Sequence, residues 1–318
     1  MFRRVNMKWL AVIFVVLLAL VIFIQVRDAR KGDRSFKKEL VEADTASMAS
    51  IHIVRPGTHG AKLDLYRKDS GWEVSSGDET YKADDKAVEN LLLQLKSLSP
   101  ERVAATKSDK WATYEVVDTM AVEVKVLDKK DKVLSDLLIG KFSYKQPDNP
   151  YSRQGTMTSF VREKGEKKVY AVNGFLKMTF NADIATYRYK KLVNGKPENW
   201  TKLAFNYTAD SSFVMTRDSL GWSIGGQRAD SLKTVQFLNG LHNLSGRNFV
   251  NKSVIKSETP AFSLNIQGVN PVAITALPAD SVNGYAIHST LNNDAYFSAK
   301  QGGLMDRIFK GKEYFLKK

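Results

Sequence analysis

Residue types that could do chemistry are present, but their spacing does not assemble them. The four histidines, His52, His59, His242 and His288, lie in separate segments with no H-x-x-x-H or H-E-x-x-H interval, so no local zinc motif forms. His52 and His59 could approach across a turn, yet scattered histidines are ordinarily structural or solvated, and no metal is expected. Gly225-Gly226 and Gly302-Gly303 are isolated pairs outside any phosphate-cradling pattern. No G-x-S-x-G elbow marks a nucleophilic serine. The adjacent carboxylates Asp84 and Asp85 precede an apolar periodic run and read as helix caps rather than an acid/base pair. With no cysteine, thiol nucleophiles, disulfides and cysteine zinc sites are excluded together. The expectation is a chain without catalytic residues or cofactor, and not an enzyme.

Two features could still hold a ligand. Trp72 and Trp222 could stack on a sugar or a base, although a Trp behind a Gly at equivalent hairpin positions reads first as a core anchor. Arg188, Tyr189, Lys190 and Lys191 interleave basic and aromatic side chains and form the best candidate binding patch. That patch falls at the joint between two halves, and nucleic acid is not an expected partner.

The elements that must position these residues come as a duplication. Gly71-Trp72, in the stretch Leu63 to Val74, recurs as Gly221-Trp222 in Phe213 to Ile224, a constant spacing of 150 residues. Alternating runs around a Gly-ended turn predict a β-hairpin in each copy. A strand at Ile51 to Val54 precedes the first hairpin. Behind it Val88, Leu91, Leu92, Leu95 and Leu98 predict a helix stopped by Pro100. An irregular stretch around Trp111 and Tyr114 leads to strands at Ala121 to Leu127 and Val133 to Ile139, with Gly140 ending the pair. A hairpin of Thr158 to Arg162 with Lys168 to Val172 and a short helix at Gly174 to Thr179 complete the first copy.

The second copy predicts a strand at Lys202 to Tyr207, the Trp222 hairpin, and a helix capped by Asp230 with Leu232, Val235, Leu238 and Leu241 on one face. Four strands follow between Ala261 and Ala299, then a helix at Leu304 to Phe309 and a basic tail from Lys310 to Lys318. The expected fold class is α+β, two tandem repeats of antiparallel sheet with one packed helix each, over residues 47–186 and 201–318. A turn-rich linker over 187–200 joins them.

Residues 9–26 carry only Gln25 as a polar side chain. As a helix this run rises roughly 27 Å, which predicts a membrane span after a short cytoplasmic tail over 1–8. No small-x-small cleavage site follows, so an anchor is expected rather than a cleaved signal. The basic residues after the span outnumber those before it, which opposes an outward C-terminal domain. Long domains nevertheless translocate largely regardless of flanking charge, and the expectation is an inner-membrane protein with a periplasmic domain. Residues 27–46 read as a charged stalk, with folding from Ser47. The formal net charge of +14 suits an anionic surface, though lysine-rich solvated faces give the same total. Asp44-Thr45-Ala46, Asp118-Thr119-Met120, Asp218-Ser219-Leu220, Asp230-Ser231-Leu232 and Asp280-Ser281-Val282 resemble the Asp-Ser/Thr-apolar O-glycosylation site of some bacterial envelopes.

This layout resembles the bacterial DUF4340 family, a domain of unknown function, over roughly residues 45–309. Gly71-Trp72, Ala83-Asp84 with the leucine-striped helix, Leu138-Ile139-Gly140, Val161-Arg162 and Val169-Tyr170-Ala171-Val172 carry the resemblance. So does Tyr187-Arg188-Tyr189-Lys190-Lys191-Leu192, in which Tyr189 replaces the family's acidic residue. The resemblance implies a single-pass envelope protein acting as a scaffold or accessory subunit of an ABC-type transport or gliding-like complex. Its expected partners are therefore the inner membrane, through 9–26, and other envelope or ABC-transporter proteins. A periplasmic binding module for an anionic glycan or lipid head group is the alternative expectation.

Overall fold

The computed structural model describes residues 17, 36–57, 62–147, 155–208 and 211–316. The expected span over 9–26 lies outside the described residues except for Leu17, as does His59. Among the described residues no helix is long and apolar enough to cross a membrane.

The fold is α+β with two antiparallel nine-stranded sheets and few helices. The first sheet holds β1 (Ser50–Val54), β2 (Lys62–Lys68), β3 (Gly71–Ser76), β4 (Glu79–Lys82), β5 (Pro100–Ala105), β6 (Val122–Leu127), β7 (Val133–Lys145), β8 (Thr156–Glu163) and β9 (Val169–Asn173). Helix α1 (Asp85–Lys96) follows β4, and the short α2 (Leu176–Phe180) and α3 (Ile184–Tyr187) follow β9. The second sheet holds β10 (Trp200–Tyr207), β11 (Phe213–Asp218), β12 (Gly221–Ile224), β13 (Gln227–Arg228), β14 (Phe249–Val250), β15 (Phe262–Gly268), β16 (Val272–Pro278), β17 (Tyr285–Ser289) and β18 (Asn292–Ser298). Its helices are α4 (Ser231–Leu241), α5 (Leu304–Ile308) and α6 (Lys312–Phe315).

The strand orders, β4-β3-β2-β1-β6-β7-β8-β9-β5 and β13-β12-β11-β10-β15-β16-β17-β18-β14, agree position for position. By contacts the chain divides into Met1–Asp64 with Glu89–Ala182, and Leu65–Val88 with Asp183–Lys318. These boundaries differ from the expected 47–186 and 201–318, because the first Trp hairpin is grouped with the later half of the chain.

Local rules explain the elements and also the departures from expectation. Asp84 caps α1 by accepting from the Lys86 and Ala87 N–H groups at 3.1 and 3.3 Å, and Asp230 caps α4 by accepting from Lys233 at 3.1 Å. The α1 stripe is buried as expected, and so are Leu238 and Leu241 of the α4 stripe, but its first two expected members are not. Leu232 and Val235 are 82% and 55% exposed, and Thr234, Phe237, Leu238 and Leu241 face inward. Aligned on the two caps, Val88, Leu91, Leu92, Leu95 and Leu98 correspond to Thr234, Phe237, Leu238, Leu241 and Leu244, so the buried stripe includes a threonine that an apolar count passes over.

Pro100 does stop the helix, but it also opens β5, where a proline is tolerated at the first residue of an edge strand. Gly140 does follow the last β6–β7 pair, Val122 with Ile139, but it does not end β7. A Cβ there would meet the Tyr114 carbonyl oxygen at 2.1 Å, so this glycine admits a crossing backbone and the strand runs on.

Of the segment expected as a stalk, residues 36–46 are described, and they are folded. Leu40 and Val41 are buried, Leu40 N–H donates to the Leu98 carbonyl at 2.9 Å, and Lys37 lies 2.9 Å from Glu166. The expected linker behaves the same way: Leu192 and Val193 are buried and both donate to the Leu244 carbonyl. Leu98 and Leu244 are equivalent positions, so each sheet is entered by an equivalent Leu-Val strap, although the serine that donates to the Leu carbonyl differs: Ser135 on β7 for Leu40, Ser289 on β17 for Leu192. Two apolar residues after a lysine pair were too short a run to register as structure.

The basic tail is folded too. Phe315 in α6 is fully buried against Phe205, Phe213 and Phe237, and its carbonyl accepts from Asp230 N–H at 2.7 Å.

Candidate functional site

The four residues expected as a patch at 188–191 are each part-exposed and each bonded to a different neighbour. The Arg188 guanidinium lies between the Tyr81 ring at 3.5 Å and the Phe249 ring at 3.8 Å, and it donates to the Asp294 carbonyl. Burial pulls its pKa below the usual guanidinium value. Tyr189 donates its N–H to Lys82 O and accepts from the Asn292 amide. Lys190 reaches Thr186 O, and Lys191 pairs with Asn243. The four residues are a strap that ties elements together.

Ser50, His52 and Asp64 form an arrangement that sequence reasoning missed. Asp64 Oδ1 accepts from His52 Nδ1 at 2.6 Å, and His52 Nε2 stands 3.3 Å from Ser50 Oγ, the order found in serine hydrolases. Two observations make it structural. Ser50 is only 7% exposed. The same sheet face continues into the Lys125–Asp136 and Lys164–Glu123 ion pairs, a cross-strand array of the ordinary kind. The period-2 spacing of Ser50 and His52 on β1 was the available signal, but Asp64 joins them only through strand pairing.

The two Trp hairpins give the contrast that matters. Gly71 and Gly221 end equivalent turns with φ of 125° and 115°, a region that favours glycine. In each copy the residue before the helix cap donates to the Trp carbonyl: Ala83 to Trp72 at 2.8 Å, Ala229 to Trp222 at 3.0 Å. The side chains then diverge. In the first copy Asp85 bridges back to the hairpin, its Oδ1 accepting the Trp72 N–H at 3.0 Å, and a Cβ on Gly71 would stand 2.8 Å from that oxygen. Arg67 lies 4.6 Å from the centre of the Trp72 ring, and Trp72 is 6% exposed.

In the second copy Ser231 occupies the place of Asp85, and a Cβ on Gly221 would meet nothing within 4 Å. Arg217, the counterpart of Arg67, donates to the Glu198 carbonyl at 2.8 Å. Trp222 is left half-buried. The result is a groove of about 450 Å³ between β12 and α4, floored by Trp222, Ala229, Val235 and Leu238, with Leu220, Arg217 and Arg228 at its edges. Leu220 is 80% exposed. Thr234 also lines the groove; its hydroxyl is buried and has no hydrogen-bond partner among the described residues.

A family profile described as a domain of unknown function, DUF4340, matches residues 72–262, more than half of the 318. The chain belongs to the DUF4340 family. The DUF4340 match begins at Trp72 and ends at Phe262 in β15, so it contains the return strand of the first hairpin, the whole of the second, both main helices and the groove. No protein of curated function and no solved structure matches the chain.

Proposed function

We propose that this DUF4340 chain is a non-catalytic, single-pass membrane protein of the bacterial envelope that works by binding, as an accessory subunit of an ABC-type transport or gliding-like complex. The observation that carries the binding role is the groove between β12 and α4. It is a mostly apolar concavity with two guanidinium groups at its edge, in the size range of ligand sites. Support for the envelope setting comes from the apolar run over 9–26, and from Thr119, Ser219, Ser231 and Ser281, all exposed within Asp-Ser/Thr-apolar triplets.

The alternative, a periplasmic binding module for an anionic glycan or lipid head group, is favoured by Arg217 and Arg228 beside Trp222. Mild-detergent purification of the tagged full-length chain from its native host, with mass spectrometry against an anchor-deleted control, separates the two. An ABC permease and its ATPase recovered only with the full chain support the accessory role. A partner-free protein rejects it and leaves the binding module.

A further inference from the structure

We infer that the groove between β12 and α4 binds a single acyl chain ended by a carboxylate, a ligand class that deepens the binding role proposed above and rests on it. The argument starts from the first copy, where the same crevice is shut. There Asp85 closes it from the helix by its bond to Trp72 N–H, and Val88 lies fully buried behind. Replacement of these two residues by Ser231 and Thr234 removes the bridge and places a buried donor without an acceptor in the wall.

An unpartnered buried hydroxyl is unfavourable in an empty groove. A carbonyl or carboxylate oxygen of a ligand seated deeply enough to part the wall over this buried hydroxyl would satisfy it. The floor of Trp222, Ala229, Val235 and Leu238 offers apolar contact and no run of polar groups for a sugar.

The edge supplies the charge. Arg217 donates from Nη1 to the Glu198 carbonyl at 2.8 Å and the Pro197 carbonyl at 3.5 Å, and Arg228 from Nη1 to Asp218 Oδ1 at 2.8 Å, an ion pair, and to the Gly221 carbonyl at 3.4 Å. A guanidinium carries five donors, so both keep N–H groups for an oxyanion, which guanidinium binds in a planar fork. Glu198 also lines the groove and Asp218 neutralises Arg228, so the charge for an oxyanion comes from Arg217, whose bonds among the described residues go to carbonyls; with the apolar floor and the buried donor it fits one amphiphile with an anionic end.

The test is titration of the full-length chain in zwitterionic nanodiscs with cis-parinarate, a fluorescent fatty acid, followed by displacement. The expected result is saturable binding displaced by dodecanoate about tenfold or more better than by dodecanol, and not by acetate. Ser231→Asp, which installs the first copy's bridge, is expected to weaken binding by about tenfold or more without lowering the melting temperature. If that variant misfolds, Leu220→Glu places a like charge at the exposed edge and serves the same comparison.

Equal displacement by dodecanol overturns the carboxylate. Unchanged binding in Ser231→Asp and Leu220→Glu overturns the location. No saturable binding, with permease and ATPase still recovered by the wild type and lost from Ser231→Asp, assigns the groove to a protein segment. That outcome rejects the acyl ligand while leaving the accessory role standing.

Discussion

Asp85 Oδ1 accepts the Trp72 N–H at 3.0 Å, a bond that the second Gly-Trp hairpin lacks. Its carboxylate occupies the space that stands open beside Gly221, where the helix carries Ser231 instead.

Removing the bridge should therefore destabilise only the first copy. Asp85→Ala is expected to cost about 1 kcal/mol, since the bond has an ionised acceptor but its side chain is exposed. Gly71→Ala and Gly221→Ala both meet a positive φ, but only the former also strikes Asp85, so Gly71→Ala should be the more damaging in urea unfolding. Equal losses would show that the bridge does not fill the crevice.

The strap that begins the first sheet is a part of its core. Leu40→Ala should cost about 2–4 kcal/mol, as for any fully buried leucine. A solvated stalk would tolerate the same change with no shift in midpoint.

Thr234→Val restores the residue type that the first copy buries at the same place. With no hydrogen bond to lose, it should stabilise the ligand-free chain by about 1 kcal/mol while weakening dodecanoate binding. Opposite signs for stability and binding are the signature of a hydroxyl kept for a ligand.

Burial, then Glu123, raises the pKa of Asp136 above its ordinary value, against the attraction of Lys125. A carboxyl raised on folding holds its proton longer in the folded state. Its contribution favours folding at acid pH and declines as pH rises from the unfolded toward the folded pKa, leaving a penalty above both. Asp136→Asn should remove that decline and raise stability at neutral pH relative to acid, read from urea midpoints across the acid range. A wild-type slope retained in the variant would assign it to another group.

Ser50 should not react with a fluorophosphonate, despite His52 and Asp64 behind it, because its hydroxyl is buried in a paired strand face. Stoichiometric labelling at Ser50, absent from His52→Gln, would replace the non-catalytic reading with an acyl-transfer one.

Much of the fold was legible because its signals are local. The Gly-Trp hairpins, the capping aspartates and the leucine stripe of α1 follow from turn chemistry and helical period, and they fall where the sequence puts them. The straps at Leu40-Val41 and Leu192-Val193 were not legible, since two buried residues make no period and their partners Leu98 and Leu244 lie 58 and 52 positions away. The short edge strands β4, β5, β13 and β14 were missed for the same reason. At the site, Trp222 and Gly221 were singled out as anchors. The groove beside them depends on Ser231 and Thr234, whose meaning appears only when they are set against Asp85 and Val88 on a shared backbone.

The most direct test of the groove as the working site is photo-crosslinking of a diazirine-bearing dodecanoate to the full-length chain in nanodiscs, mapped by peptide mass spectrometry. The account predicts modification between Leu220 and Leu238, suppressed by excess dodecanoate and lost in Ser231→Asp. Crosslinks spread evenly over both copies, or concentrated at the Asp85–Trp72 crevice, would contradict it.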